Sequence, residues 1–185
     1  MSQKERLGLV MFMDGSRLEN EAAGYVVTWK SGQTWEGIKT HMGFNQEAYD
    51  AECTALARAL KTAAEIAPTP SHITIFTDTQ AAIQRMSTEE LGPGQKYAVE
   101  ARQHITTLRR AVLDITIEIR WCPAYKGVEG NEKADEWARL AADEPDTQGV
   151  EGWTYSDQSE ETLLPKSLTN IRREISEKKW MKARQ

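Results

Sequence analysis

The feature that most constrains this chain is where its hydrophobic period changes. Between Leu7 and Met42 the apolar residues follow strand periodicity in three segments separated by short polar turns. Leu7 to Met13 is apolar on both alternating faces, the pattern of a strand buried on two sides. Ala22 to Trp29, with Tyr25, Val26, Val27 and Trp29, reads as a second strand, and Gln33 to Met42 as a weaker third. Gly15, Ser16, Glu19 and Asn20 supply the first turn, and Lys30, Ser31 and Gly32 the second. Three strands joined this way form an antiparallel meander.

After Gln46 the period becomes helical. Ala48, Ala51, Ala55, Leu56, Ala59, Leu60 and Ala63 mark a helix from Gln46 to Ile66, ended by Pro68-Thr69-Pro70. Ile73, Ile75 and Phe76 make a short strand, and Thr79 to Met86 a short helix. Beyond Gly92-Pro93-Gly94, the residues Tyr97, Ala101, Ile105, Leu108 and Val112 recur at helical spacing. Ile115, Ile117, Ile119 and Trp121 then alternate with polar residues, as in a one-sided strand. A last core helix opens at Gly130 or Asn131 and runs to about Ala142. The order β-β-β-α-β-α-α-β-α predicts an α/β fold. Its five-stranded mixed sheet combines the antiparallel meander with parallel strands, and helices cover both faces.

Four acids stand where that fold is chemically sensitive. Asp14 closes the first strand and Asp78 the fourth, and in open α/β sheets ligands bind beyond the carboxyl ends of strands. Each alone is more commonly a turn or helix-cap residue. Glu52 is odder, because it lies four before Leu56 on a stripe that should be apolar, and burying an unpartnered carboxylate is costly. Asp135 repeats the oddity, three before Ala138 and seven before Ala142. Two misplaced acids on helices flanking two strands that end in acids suggest one cluster. Like charges 4 Å apart repel by ~4 kcal/mol at an effective dielectric of ~20. Hard, oxygen-loving dications such as Mg²⁺ or Mn²⁺ relieve that repulsion, and a pair of them suits in-line displacement at phosphorus.

Phe12-Met13-Asp14-Gly15-Ser16, Asp50-Ala51-Glu52-Cys53-Thr54-Ala55-Leu56, Phe76-Thr77-Asp78-Thr79-Gln80 and the run Trp121 to Asp135 resemble, in order, the four motifs of type 1 ribonuclease H. The Gly127-to-Asp135 piece of the last run is the most specific. Loop and tail style is similar to the ribonuclease H domains of fungal non-long-terminal-repeat retrotransposons. The resemblance implies a ribonuclease H-like fold and endonucleolytic cleavage of the RNA strand of RNA–DNA hybrids, leaving a 5′-phosphate and a 3′-hydroxyl. It implies two Mg²⁺ ions, with Mn²⁺ as a substitute, held by Asp14, Glu52, Asp78 and Asp135, with Asp14 between them. The implied partners are the hybrid and a reverse transcriptase domain of the same polyprotein, with the chain a monomer.

Three departures from the family pattern stand out. Tyr125 occupies the place of a His thought to aid proton transfer or product release, and a phenol titrating near ~10 shuttles protons poorly at neutral pH. Ala48 and Tyr49 stand where cellular members often carry an Asn pair that reads RNA 2′-hydroxyls. Ser87 to Gln95 holds no basic residue where some members have a basic protrusion. Modest substrate affinity and slow, metal-dependent turnover are the expectation. Two rivals are a transposase- or integrase-like nuclease, and a catalytically weak or inactive nucleic-acid-binding domain of a reverse-transcribing element.

Charge divides the 185 residues further. The net charge of −5 argues against holding nucleic acid by bulk charge alone. Residues 143–161 carry seven acids and no base, whereas 162–185 carry seven bases and two acids. The expected organisation is a ribonuclease H-like domain over 1–142, an acidic linker over 143–163 and a basic C-terminal helix over 164–185. That helix, with Leu164, Leu168, Ile171 and Ile175 on one stripe, either packs on the domain or contacts nucleic acid or a partner. The longest apolar run, Leu9 to Met13, is far short of the ~20 residues of a membrane span. Two cysteines exclude a disulfide scaffold and a four-thiolate zinc site. With no apolar leader after Met1, the expected location is intracellular, nucleus or cytoplasm.

Overall fold

The computed structural model describes residues 8–124, 126–143, 171–173 and 175. Tyr125, the acidic segment from 144 onward and most of the stretch where a basic C-terminal helix is expected, with Trp153 and Trp180, lie outside the described residues. The elements are β1 (Leu9–Arg17), β2 (Ala23–Ser31), β3 (Thr34–Gly43), α1 (Ala48–Glu65), β4 (His72–Thr77), α2 (Gln80–Met86), α3 (Gln95–Ala111), β5 (Thr116–Trp121) and α4 (Glu129–Asp143). The order is the one the periodicity predicts. The five strands form one sheet in the order β3-β2-β1-β4-β5, antiparallel between β1, β2 and β3 and parallel between β1, β4 and β5.

Strand alternation sends Met11, Met13, Ile73 and Ile75 to one face, under α1 and α3. The Ala51, Ala55, Ala59 and Ala63 stripe of α1 is fully buried there, so the helix backbone lies close on the sheet. Val26 packs on the other face against Ala134, Trp137 and Ala138 of α4, with Phe12 and Trp35 alongside. Helices thus cover both faces. Two glycines let α4 settle tightly. A Cβ on Gly130 would lie 2.3 Å from the Phe12 ring, and one on Gly24 would lie 2.5 Å from the Ala142 nitrogen.

One boundary differs from the sequence expectation in a way that matters. Asp14 does not close β1, and Gly15 and Ser16 are not turn residues, because the strand continues to Arg17. The reason is non-local. β2 stays paired with β1 as far as Arg17↔Ala23, whereas parallel pairing with β4 stops at Phe12↔Phe76. Asp14 therefore stands where the sheet forks, still in strand on its β2 side and facing a gap on its β4 side. Asp78 directly follows the last residue of β4. Trp121 is 49% exposed at the end of the edge strand β5.

Candidate active site

Each predicted acid reaches the fork from a different element. Asp14 shares a strand face with Phe12, and its carboxylate accepts a hydrogen bond from the Gly15 N–H at 2.8 Å. Gly15, next along the strand, points to the opposite face, where a Cβ would lie 2.4 Å from the Glu52 nitrogen. Only a glycine lets the first turns of α1 come this close, and that approach brings Glu52 beside Asp14. Glu52 is half-buried near the start of the helix, at the carboxyl edge of the sheet and not deep in the apolar stripe.

Asp78 is held by its neighbours. Its backbone carbonyl accepts the Trp121 indole N–H at 3.0 Å, and the next residue's hydroxyl, Thr79 Oγ1, lies 3.5 Å from its Oδ1. Thr79 also donates to Glu52, so one residue links two of the acids. Asp135 lies on α4 about a turn and a half beyond Gly130, and Arg139 Nη2 pairs with its Oδ2 at 3.0 Å.

The electrostatics place the four acids in one neighbourhood. Asp14 is only 8% exposed. Burial pushes its carboxyl up to about 8, and repulsion from Asp78, Asp135 and Glu52 adds to that, against the opposing Gly15 hydrogen bond. Burial likewise raises Glu52 to about 7, with Asp78 contributing and Thr79 opposing. Asp78 is raised by burial and then by Asp135, again against the Thr79 hydrogen bond. Each of the other three predicted acids acts on the Asp14 carboxyl through its charge, whereas Tyr125 is not described.

Among the described residues, no three His, Cys, Asp or Glu side chains form a ready-made ion cage. The donor set nevertheless fits a hard dication. It is all oxygen, it is partly withdrawn from water, and its most buried member is made reluctant to ionise first by burial and then by the other three. Thr79, Arg139 and the glycine at 15 add what the acids alone did not announce. Only the i,i+4 spacing of Asp135 and Arg139 was open to reading from sequence.

Residues 6–143 match the RNase H family. The chain belongs to that family. Its fold is similar to the N-terminal RNase H domain of Rv2228c from Mycobacterium tuberculosis, solved as a fusion with maltose binding protein. That match has a TM-score of 0.60 and 22% identity over 74% of this chain and 94% of that one. RNase H1 from the halophilic archaeon Halobacterium salinarum NRC-1 gives a TM-score of 0.56 and 22% identity over 73% and 97%. The protease-reverse transcriptase of prototype foamy virus gives 0.56 and 18% over 79% of this chain but only 22% of that one. No curated protein matches the sequence.

Proposed function

We propose that this RNase H domain is a metal-dependent endonuclease that hydrolyses the RNA strand of RNA–DNA hybrids, leaving a 5′-phosphate and a 3′-hydroxyl. One observation carries the reading. A nearly buried Asp14 at the fork of the sheet is repelled by three other carboxylates from three different elements. That arrangement is costly in an empty fold and useful once dications occupy it. Asp14, Glu52, Asp78 and Asp135 would hold two Mg²⁺ ions, or Mn²⁺ in their place. Such a pair supplies activation of the attacking water and charge neutralisation at phosphorus.

The chain's own residues set the geometry. Asp14 is fixed by the strand and by the Gly15 N–H. Asp78 is anchored through its carbonyl by Trp121, and Thr79 orients Asp78 and Glu52 together. Tyr125 in the place of the family His leaves proton transfer poorly served, so turnover is slow. With no basic residue between Ser87 and Lys96, affinity for the hybrid is modest and a neighbouring reverse transcriptase domain of one polyprotein supplies the rest. The foamy virus structure, a reverse transcriptase of which the matched part is a minor share, supports that setting. A retroelement origin of the fungal non-long-terminal-repeat kind, a monomeric domain and an intracellular location complete the proposal.

The test is incubation with labelled hybrid, RNA duplex and DNA duplex, each with Mg²⁺, Mn²⁺ or chelator. Hybrid-only, RNA-strand cleavage that needs a dication and disappears in Asp14→Asn is the expected result. Duplex DNA cleavage would point to an integrase-like enzyme. Hybrid binding without cleavage in either metal would leave a binding domain and end the nuclease reading.

A further inference from the structure

Among the described residues outside 6–143, the stretch that matches the family, Arg173 makes contact with the folded domain. The Arg173 guanidinium lies across two carboxylates, with Nη2 2.9 Å from Glu21 Oε1 and Nη1 3.0 Å from Glu47 Oε1. Both acids also face Arg17, which lies 2.9 Å from Glu21 and 4.0 Å from Glu47. The four side chains alternate in sign and close into a ring. Arg17 and Glu47 are at 18% and 17% side-chain exposure and form the inner side of the ring, while Arg173 and Glu21, at 34% and 50%, form its outer side.

The ring joins the two elements that carry Asp14 and Glu52. Arg17 ends β1, three residues after Asp14, and its Nε donates to the Gln46 carbonyl at 3.0 Å. Glu47 stands at the N-cap of α1, where its N–H donates to Asp50 Oδ2 at 3.2 Å. The Asp50 and Ala51 N–H groups, in the first turn of that helix, donate to the Glu47 carbonyl. Fixing Glu47 to the end of β1 therefore fixes the start of α1, five residues before Glu52. A planar, always-charged guanidinium can span two acids on separate elements in a way that an ammonium cannot.

We infer that Arg173 is a positioning residue of this domain. It reaches back to close the Arg17–Glu21–Arg173–Glu47 ring and so holds the α1 N-terminus, with Glu52, against Asp14. The link to Glu52 rests on the function proposed above, whereas the link to the helix start does not.

The test uses the full chain and three variants: Arg173→Ala, Glu21→Gln and the double variant. Hydrogen exchange of the amides at residues 50–53, read without metal, should quicken about fivefold in Arg173→Ala, the scale of losing one partly buried ion-pair network. The double variant should exchange no faster than Arg173→Ala, because both changes open one ring. The Mg²⁺ concentration that half-saturates the rise in melting temperature should increase in parallel. Unchanged exchange in Arg173→Ala, or strictly additive effects of the two changes, would overturn the ring. Faster exchange with an unchanged Mg²⁺ midpoint would overturn the positioning role. A wild-type chain with no Mg²⁺ response at all would strike the nuclease reading and its Glu52 link, while the exchange data still judge the ring.

Discussion

A methyl group at residue 15 should separate Glu52 from Asp14. The Cβ of Gly15→Ala would meet the Glu52 nitrogen at 2.4 Å, the Ala51 carbonyl carbon at 2.5 Å and the Ala51 Cβ at 2.8 Å. Two of the three are backbone atoms of a helix pinned by its buried alanine stripe, so no flexible side chain can swing aside. Ordinary contact begins at 3.4 Å, and reaching it moves α1 off β1 by about 1 Å. Overpacking of this kind costs ~1–3 kcal/mol. At ~2–4 °C per kcal/mol for a chain of this size, the melting temperature should fall by roughly 2–12 °C. The chemical effect should be larger, since a displacement of ~1 Å in a catalytic constellation can cost ~10²-fold in rate. Gly92→Ala is the control, because nothing lies within 4 Å of its added Cβ, and it should stay within ~0.5 kcal/mol of wild type. Paired urea melts and hybrid-cleavage rates measure both effects. If Gly15→Ala melts and cleaves like the Gly92 control, the close approach does not set the site and the reasoning fails.

Other outcomes follow from the same geometry. Asp14 at about 8 and Glu52 at about 7 hold protons in the metal-free fold that the unfolded chain gives up near ~4. Their contribution to stability is therefore full below about pH 4 and gone above about pH 8. Melting without metal should weaken across that window, and Asp14→Asn should flatten the slope; an equal slope in the variant would contradict it. Mg²⁺ at a hundred times its dissociation constant should add about 2.7 kcal/mol to stability, and Asp14→Asn should remove most of that gain in thermal-shift titrations. Tyr125→His should raise the cleavage rate, given that general acid–base assistance is typically worth ~10²–10⁴-fold. An unchanged rate, with Asp14→Asn inactive, would show that the loop carries little of the chemistry.

Much of this protein was readable from its residues because the decisive signals are local. Period-two and helical spacings gave every element in order, and Glu52 and Asp135 stood out because acids interrupt apolar stripes. The end of β1 was not readable, since Gly15-Ser16 has turn composition and only the distant β2 keeps it extended. Glycine at 15 looked like punctuation and serves as clearance for a helix. Thr79 gave no signal beyond its place in a short motif, because the second of its carboxylate partners, Glu52, comes from the distant α1. Trp121 looked like packing, whereas its indole N–H is spent on the Asp78 carbonyl. Arg173 was one basic residue among seven in its segment, and only its distant partners Glu21 and Glu47 distinguish it.

The alternation along β1 also guards against silent misfolding. Met11 and Met13 lie in oil on one side of the sheet, while Phe12 and Asp14 look the other way. A slip of one residue against β2 would thrust Asp14 under α1 and throw both methionines out. So large a transfer penalty removes the off-by-one chain from the compact population altogether. A molecule that has folded has, by the same act, aimed its acid.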